Sequence, residues 1–366
     1  MVTLLSRTWA PITLLSALLL GCHSDLTPNA NSRPLANYTF SDHQLSQLLT
    51  EKESMIKATQ LTYDGTTYTV AYATGDDEDA LLLFQNHDAT QSVSLLIPKT
   101  PVADSQCTLV QYAASERRQY TYHCGTSQVS QTSDIITYMG RYQGKSSVLI
   151  PDAADFVLEV HEGVDTIGST QLVLSYTGDH AEIRTQNPFD GYHPLGASDL
   201  GVTTYLQLKR LADVAAGRDI TLIFNSPIGG SSDDAINMYT GRLIRQRAMH
   251  TQIAATGSVF SGGTDLFTAG ITRTLVRRDT AVPLQTNRQI GVHAWADKNA
   301  AGQVTPATAI PYTDQAHRAQ ATYFTEMLGD KGIDFYLFTL SAAPHDGEHL
   351  MTRQELDTYQ ITTAIR

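Results

Sequence analysis

Two junctions in this 366-residue chain gather residue types suited to acyl-transfer chemistry. The first, FNSPIGGSSDDAINMY (Phe224 to Tyr239), follows the apolar run DITLI and stands between a predicted strand and a predicted helix. The second, GSVFSGG (Gly257 to Gly263), puts Ser261 at the amino end of a short predicted helix, where the helix field favours an exposed, attackable hydroxyl. Glycine lets main-chain N–H groups approach a substrate oxygen with no Cβ in the way. Gly229 and Gly230 are therefore candidate oxyanion donors, and the N–H of Gly262 is a further one. A serine nucleophile needs a base, and His293 stands in the next predicted strand, RQIGVHAW.

Two rival chemistries fit less well. SPIGGSS lacks the Lys-Ser/Thr pair of a phosphate loop, and no G-x-G-x-x-G follows a strand. HDGEH, His345 to His349, matches an H-x-x-E-H zinc pattern. Pro344 and Gly347 disfavour the helix that pattern needs, and Glu355 and Asp357 are the only side-chain carboxylates beyond His349. Neither a metal nor a cofactor is expected.

The elements that must hold these residues alternate between strand and helix from about His180 onward, the mark of α/β architecture. TTYLQLKRLADVAAG (Thr203 to Gly217) has helical spacing, with Thr203 or Thr204 as cap and Gly217 as stop. ITLIF reads as a strand buried on both faces. DDAINMYTGRLIRQRA (Asp233 to Ala248) has acids at its start and arginines toward its end, as the helix dipole favours. Further helices are predicted over Asp314 to Gly332 and Thr352 to Ile361, the latter capped by Thr352.

The preceding part has a different texture. After a helix over Ser41 to Ala58, it is rich in Thr, Tyr and Val. Strands are predicted at Thr66–Thr74, Ala80–Asn86, Ser92–Pro98, Ser146–Asp152 and Ser169–Tyr176. His87, His123, His161 and His180 are scattered and suggest no constellation.

At the start, Trp9 to Cys22 forms an apolar stretch too short for a comfortable membrane span and suited to a signal-peptide core. Leu19-Leu20-Gly21-Cys22 resembles the bacterial lipobox, in which the Cys is lipidated and begins the mature chain. His23, rather than Asp, after Cys22 points by the same resemblance to the outer membrane. The expected organisation is residues 1–21 leader, 22–40 tether, 41–178 β-rich domain and 179–366 α/β domain. Cys107 and Cys124 then remain as an even pair in an oxidising compartment, and a disulfide across a hairpin is expected. A net charge of -12, from 25 basic and 37 acidic residues, argues against a nucleic-acid partner.

The order LIFNSPIGGSS…MYTGRLI…GSVFSGGTDLFTAG…IGVHAW…LMTRQEL resembles the Clp protease proteolytic-subunit family and its periplasmic relatives in the ClpP/crotonase superfamily. The resemblance covers about half of the chain, from roughly His180 to the end. It implies a repeated ββα core, here preceded by the β-rich domain. It further implies an oxyanion hole from the Asn225-Ser226-Pro227…Gly229-Gly230 turn, Ser261 as nucleophile and His293 as base. The family's orienting acid falls three residues before Met351, at Glu348, with Asp346 close enough to substitute. Ile228 is inserted before the paired glycines, and the stretch between Ser261 and His293 is longer than the family's. The implied function is a lipid-anchored serine hydrolase of the cell envelope acting on a peptide or protein, possessed of a homo-oligomeric tendency. The competing expectation is a non-catalytic envelope module that keeps the fold for binding or assembly. Acyl-CoA chemistry is disfavoured by an envelope location.

Overall fold

A computed structural model describes residues 33–113, 116–142, 154–189, 196–298 and 303–366. The expected leader, Cys22 and the predicted strand Ser146–Asp152 lie outside the described residues.

Helix α1 (Asp42–Ala58) starts as expected: Ser41 Oγ accepts from the Gln44 N–H at 3.2 Å, with Asp42 in the first turn and Lys57 in the last. Nine strands follow: β1 (Gln60–Tyr63), β2 (Thr66–Gly75), β3 (Asp79–Gln85), β4 (Ser92–Pro98), β5 (Gln106–Ala113), β6 (Glu116–His123), β7 (Val129–Thr132), β8 (Ile135–Tyr142) and β9 (Phe156–His161). They pair antiparallel in the order β6-β5-β4-β3-β2-β1-β9-β8, and β8 returns to β6 through Tyr122↔Tyr142 and His123↔Arg141. The sheet is therefore closed into a barrel, and β7 continues β6 along the same edge of β8. Closure removes the unpaired edges that an open sheet presents. Alternation supplies the interior: Leu61, Phe84, Leu95, Leu109, Tyr122 and Leu158 are fully buried in one apolar cluster. These side chains fill the interior, as a barrel of about eight strands allows.

The disulfide forms between Cys107, in β5, and Cys124, just past the end of β6, with Cα atoms 5.8 Å apart. The β5–β6 hairpin register, Cys107↔Tyr122, brings the two within reach.

The expected boundary after residue 178 falls in the turn of a hairpin whose two strands, β10 (Gln171–Thr177) and β11 (His180–Gln186), both belong to the second unit. A two-residue period marks a strand but does not say which sheet it joins. The expected tether also ends earlier than residue 40. Pro34 is buried, the Tyr38 N–H donates to Thr322 Oγ1 at 2.9 Å, and Phe40 stacks edge-on to Tyr239. The rings of Tyr38 and Phe40 anchor a stretch that otherwise reads as polar, together with these contacts.

Beyond β11 the order strand, strand, helix recurs: β12 (Ser198–Leu200) and α2 (Val202–Val214) complete the first unit; β13 (Asp219–Phe224), β14 (Pro227–Ser231) and α3 (Asp234–Gln246) form the next; β15 (His250–Ile253), β16 (Ser258–Phe260) and α4 (Gly262–Thr268) follow; β17 (Arg273–Leu275) and β18 (Ile290–Val292) begin another. The first strand of each pair enters one sheet, β10-β11-β13-β15-β17-β22, and the second enters another, β12-β14-β16-β18-β21. Within each sheet, successive units pair in parallel. Parallel neighbours need a crossover connection, and here the partner sheet's strand plus a helix supplies it. The hairpin β19 (Ala296–Lys298) and β20 (Val304–Pro306), helices α5 (Gln315–Leu328) and α6 (Gly332–Ala342), then β21 (His349–Leu350), α7 (Arg353–Thr358) and β22 (Ala364–Ile365) complete the chain.

Local differences from expectation have physical reasons. Gly201, not Thr203 or Thr204, is the cap of α2, and Thr204 Oγ1 accepts the Gly201 N–H at 3.3 Å. Helix α5 stops at Gly329, whose φ is 58°, rather than at Gly332. Helix α6 was not foreseen, because IDFYLFTL is apolar without a 3.6-residue period and helix and strand are then indistinguishable. The segment HDGEH is a turn running into β21, not a helix, and His349 Nε2 lies 3.0 Å from Glu355.

Replacing both Cys107 and Cys124 by Ser should cost about 3 kcal/mol in chemical denaturation of the full chain, as expected for releasing a short closed loop. Reductant should destabilise the parent protein by the same amount and leave the double variant unchanged.

Candidate functional site

Ser261 sits at the bend between β16 and α4 with φ 50° and ψ -122°, a conformation that non-glycine residues seldom adopt. Holding it costs about 1–3 kcal/mol, which surrounding contacts must offset. Those contacts are identifiable. The Ser261 N–H donates to Gly291 O at 3.2 Å, and buried Thr264 donates its hydroxyl to the same carbonyl at 2.8 Å. Asn237 Nδ2 donates to Gly262 O at 3.0 Å. A Cβ on Gly262 would lie 2.6 Å from the Ser231 side chain, and one on Gly263 would lie 2.9 Å from Ile228. Both glycines are therefore demanded by close approach to β14 and α3. Buried Gln289 steadies the loop before β16, donating to Ala254 O at 3.1 Å and Val276 O at 2.9 Å. Arg245 binds the carbonyls at the far end of α4, Ala269 O at 2.9 Å and Thr268 O at 3.2 Å.

The paired glycines of the first junction are not in a free loop. They belong to β14, and the pairing with β12 steps from Ser198↔Ile228 to Asp199↔Gly230, skipping Gly229. The inserted residue Ile228 is fully buried, which explains the strand: its side chain needs the core. Gly229 thus occupies a bulge, where the ladder is interrupted. A Cβ on Gly230 would touch Ser261, 3.5 Å from its Cβ and 3.8 Å from its Oγ. The two separately predicted bends do meet.

His293 follows β18 directly, and its Nδ1 lies 2.7 Å from Ala294 O. A carbonyl only accepts, so Nδ1 carries the proton and Nε2 is left as the lone-pair nitrogen. Ser261 and His293 line one small cavity of about 30 Å³, room for one or two waters.

The carboxylates around this cavity are not the expected ones. Glu348 shares a neighbouring recess with His293, but both its oxygens bind Arg288, at 2.8 and 2.9 Å. Asp346 is exposed on the turn before β21. Instead Asp234, at the first turn of α3, and Asp265, one helical turn after Ser261, line the cavity. Asp234 accepts from the Ser231 hydroxyl. The protein crowded around its carboxyl raises its pKa, the Ser231 hydrogen bond opposes this, Asp233 adds to it and His293 opposes it. Asp265 is pushed well above the usual carboxylate range, first by burial and then by Asp234. Its carboxyl has no hydrogen-bond partner among the described residues.

The walls are Trp295, Phe324, Tyr336 and Gln320. Trp295 Nε1 donates to Tyr336 Oη at 2.9 Å, and Tyr336 Oη lies 2.6 Å from His317 Nδ1. His317 Nε2 faces Ala307 O at 3.0 Å, so that nitrogen carries the proton and Nδ1 accepts the tyrosine hydroxyl. Burial lowers the pKa of His317, consistent with a neutral structural imidazole.

Of these residues, Asp265 had a signal: its i+4 spacing from Ser261 sets both on one helix face. Asp234 was legible as a helix-start acid, which already had a sufficient explanation. Gln320 and Tyr336 had none.

No protein-family model matches the chain, and no curated protein matches it in sequence. Solved structures similar to it include enoyl-CoA hydratase from Thermoplasma volcanium, at 12% identity and TM-score 0.32 over 53% of this chain and 71% of that one. Enoyl-CoA hydratase from Bacillus anthracis is similar at 12% identity and TM-score 0.33, over 53% and 69%. DspI of Pseudomonas aeruginosa is similar at 12% identity and TM-score 0.34, over 53% and 68%.

A carboxyl whose folded-state pKa lies above its unfolded value holds its proton more tightly when folded. Stability then falls as pH rises from the ordinary aspartate range, about 4, toward the folded value. Asp265→Asn should therefore melt at a higher temperature than the parent at pH 8, with the difference closing toward pH 4. A lower melting point for the variant at pH 8 would contradict this electrostatic account.

Proposed function

We propose that this chain is a serine hydrolase acting on a peptide or a related acyl bond. The observation that carries the reading is the backbone of Ser261, held at φ 50° and ψ -122° on a strand-to-helix bend beside a cavity it shares with His293. A strained bend of this kind exposes a serine hydroxyl in other hydrolases. Ser261 Oγ attacks the carbonyl carbon, and its proton passes to His293 Nε2. The imidazolium returns the proton to the leaving group, and water later releases the acyl group by the same route. The Ala294 carbonyl holds the base-competent tautomer, the part expected of Glu348 or Asp346. Asp234, when ionised, favours the imidazolium. N–H groups of Gly229, Gly230 and Gly262 are the proposed donors to the oxyanion. The proposal includes the finer parts of the sequence resemblance: a Clp-protease-like catalytic unit, attachment to the bacterial outer membrane through lipid on Cys22, and self-association.

A fluorophosphonate probe should label the parent protein and leave Ser261→Ala unlabelled. Asp234→Asn should slow labelling at least about tenfold, as for loss of an imidazolium-stabilising charge, and Glu348→Gln by less than about twofold. Equal labelling of the parent and Ser261→Ala would end the assignment and leave a binding module. Separately, Cys22→Ser should abolish incorporation of radiolabelled palmitate in a bacterial host and release the protein from the membrane fraction. Retained incorporation would refute the anchor.

A further inference from the structure

Beside the Ser261 cavity lies a larger chamber of about 630 Å³, of a size that takes a small ligand or a long side chain. Asp234, Trp295 and Gln320 line both spaces, so the two are adjacent. Met238, Ala316, Ala319 and Ile310 give the chamber an apolar body, and Asp234, Asp297 and Asp314 give it three carboxylates. No Lys, Arg or His is among the described residues lining it.

None of these three acids is in an ion pair among the described residues. Asp297 has no ion-pair or hydrogen-bond partner among the described residues, and the adjacent Lys298 instead reaches Asp77 at 2.7 Å. Asp314 uses one oxygen to cap α5, accepting the Ala316 N–H at 2.8 Å, and its other oxygen has no partner among the described residues. An independent observation points to a ligand. Gln320 is only 7% exposed, and its amide has no hydrogen-bond partner among the described residues. An unpaired amide that opens onto a cavity is completed there by water or by a ligand group. Trp295 has its N–H committed to Tyr336, so it can offer only its ring, the best aromatic surface for a cation.

We propose that this chamber binds the side chain of a lysine or arginine in a peptide substrate. The apolar body takes the methylene stem, the carboxylates and Trp295 take the charge, and Gln320 pairs with the adjoining peptide group. The recess on the other side of His293 carries Arg278 beside the Arg288–Glu348 pair, a net positive lining that disfavours a basic side chain there and favours one orientation. The assignment names the substrate class for the hydrolase proposed above, and rests on that reading for the scissile bond alone.

The test separates the two. Full-chain Ser261→Ala protein is titrated calorimetrically with Nα-acetyl-arginine amide and with its neutral counterpart, Nα-acetyl-norleucine amide. The arginine compound should bind at least about tenfold more tightly. Asp297→Asn in the same background should weaken the arginine compound about tenfold and leave the norleucine compound unchanged, the size of one charged hydrogen bond. Gln320→Ala should weaken both compounds, which share the peptide groups. Circular dichroism melting of each variant checks folding, and Gln320→Glu, which adds charge without removing bulk, should tighten the arginine compound. Equal affinities for the two compounds, no binding of the arginine compound at millimolar concentration, or indifference to Asp297→Asn would each overturn the proposal. Cation-selective binding without fluorophosphonate labelling of Ser261 keeps the chamber and removes the hydrolase; labelling without cation selectivity does the reverse.

Discussion

The bend at Ser261 requires a backbone conformation that the residue would not choose, and much of the second unit is organised to impose it. The carbonyl of Gly291 receives both the Ser261 N–H and the Thr264 hydroxyl, tying β18 to the start of α4. Gly291 itself cannot carry a side chain, because a Cβ would lie 2.2 Å from the Phe260 ring. Gly262 and Gly263 let α4 sit against β14 and α3, and Arg245 closes the other end of the helix. A seven-residue helix has little stability alone. Here tertiary contacts at both ends set where it begins, and so where the hydroxyl points.

The barrel is joined to this arrangement at several places. Lys52 of α1 pairs with Asp233 at 3.2 Å, with both side chains largely buried, and Asp233 also caps α3 by accepting the Ile236 N–H. The next residue is Asp234, in the cavity. Thr74 of β2 donates to Asp199 at 2.7 Å, and Asp199 lies under Gly229. Burial raises the Asp199 pKa and the Thr74 hydrogen bond opposes that rise. Removing the barrel would thus strip partners from buried acids beside both walls of the site, and such losses are strongly destabilising. The β-rich unit acts on the site as a support, whatever else it binds.

Much of the local structure was legible. The expected Ser41 and Thr352 caps each accept an N–H at a helix start, and Asp233 and Asp314, expected only within the first turns, act as caps as well. The Cys107–Cys124 hairpin followed from two strands flanking a polar turn. The meeting of Gly230 with Ser261 was anticipated, but the loop proposed around Gly229 and Gly230 is a bulged strand, because Ile228 draws it into the core. Helix α6 escaped notice because a helix buried on most sides has no polar face to set a period.

The sequence by itself determined the residues able to do chemistry, the caps and stops of most helices, the disulfide and the change from β-rich to alternating architecture. These are short-range properties, written in side-chain type and spacing. Only the tertiary structure decided which acids share a cavity with His293. Glu348 is near it along one recess but is held by Arg288, while Asp234 and Asp265 reach it from two different helices. Sheet membership, barrel closure and the desolvation of a carboxyl all depend on which distant segments pack together, and no local pattern encodes that.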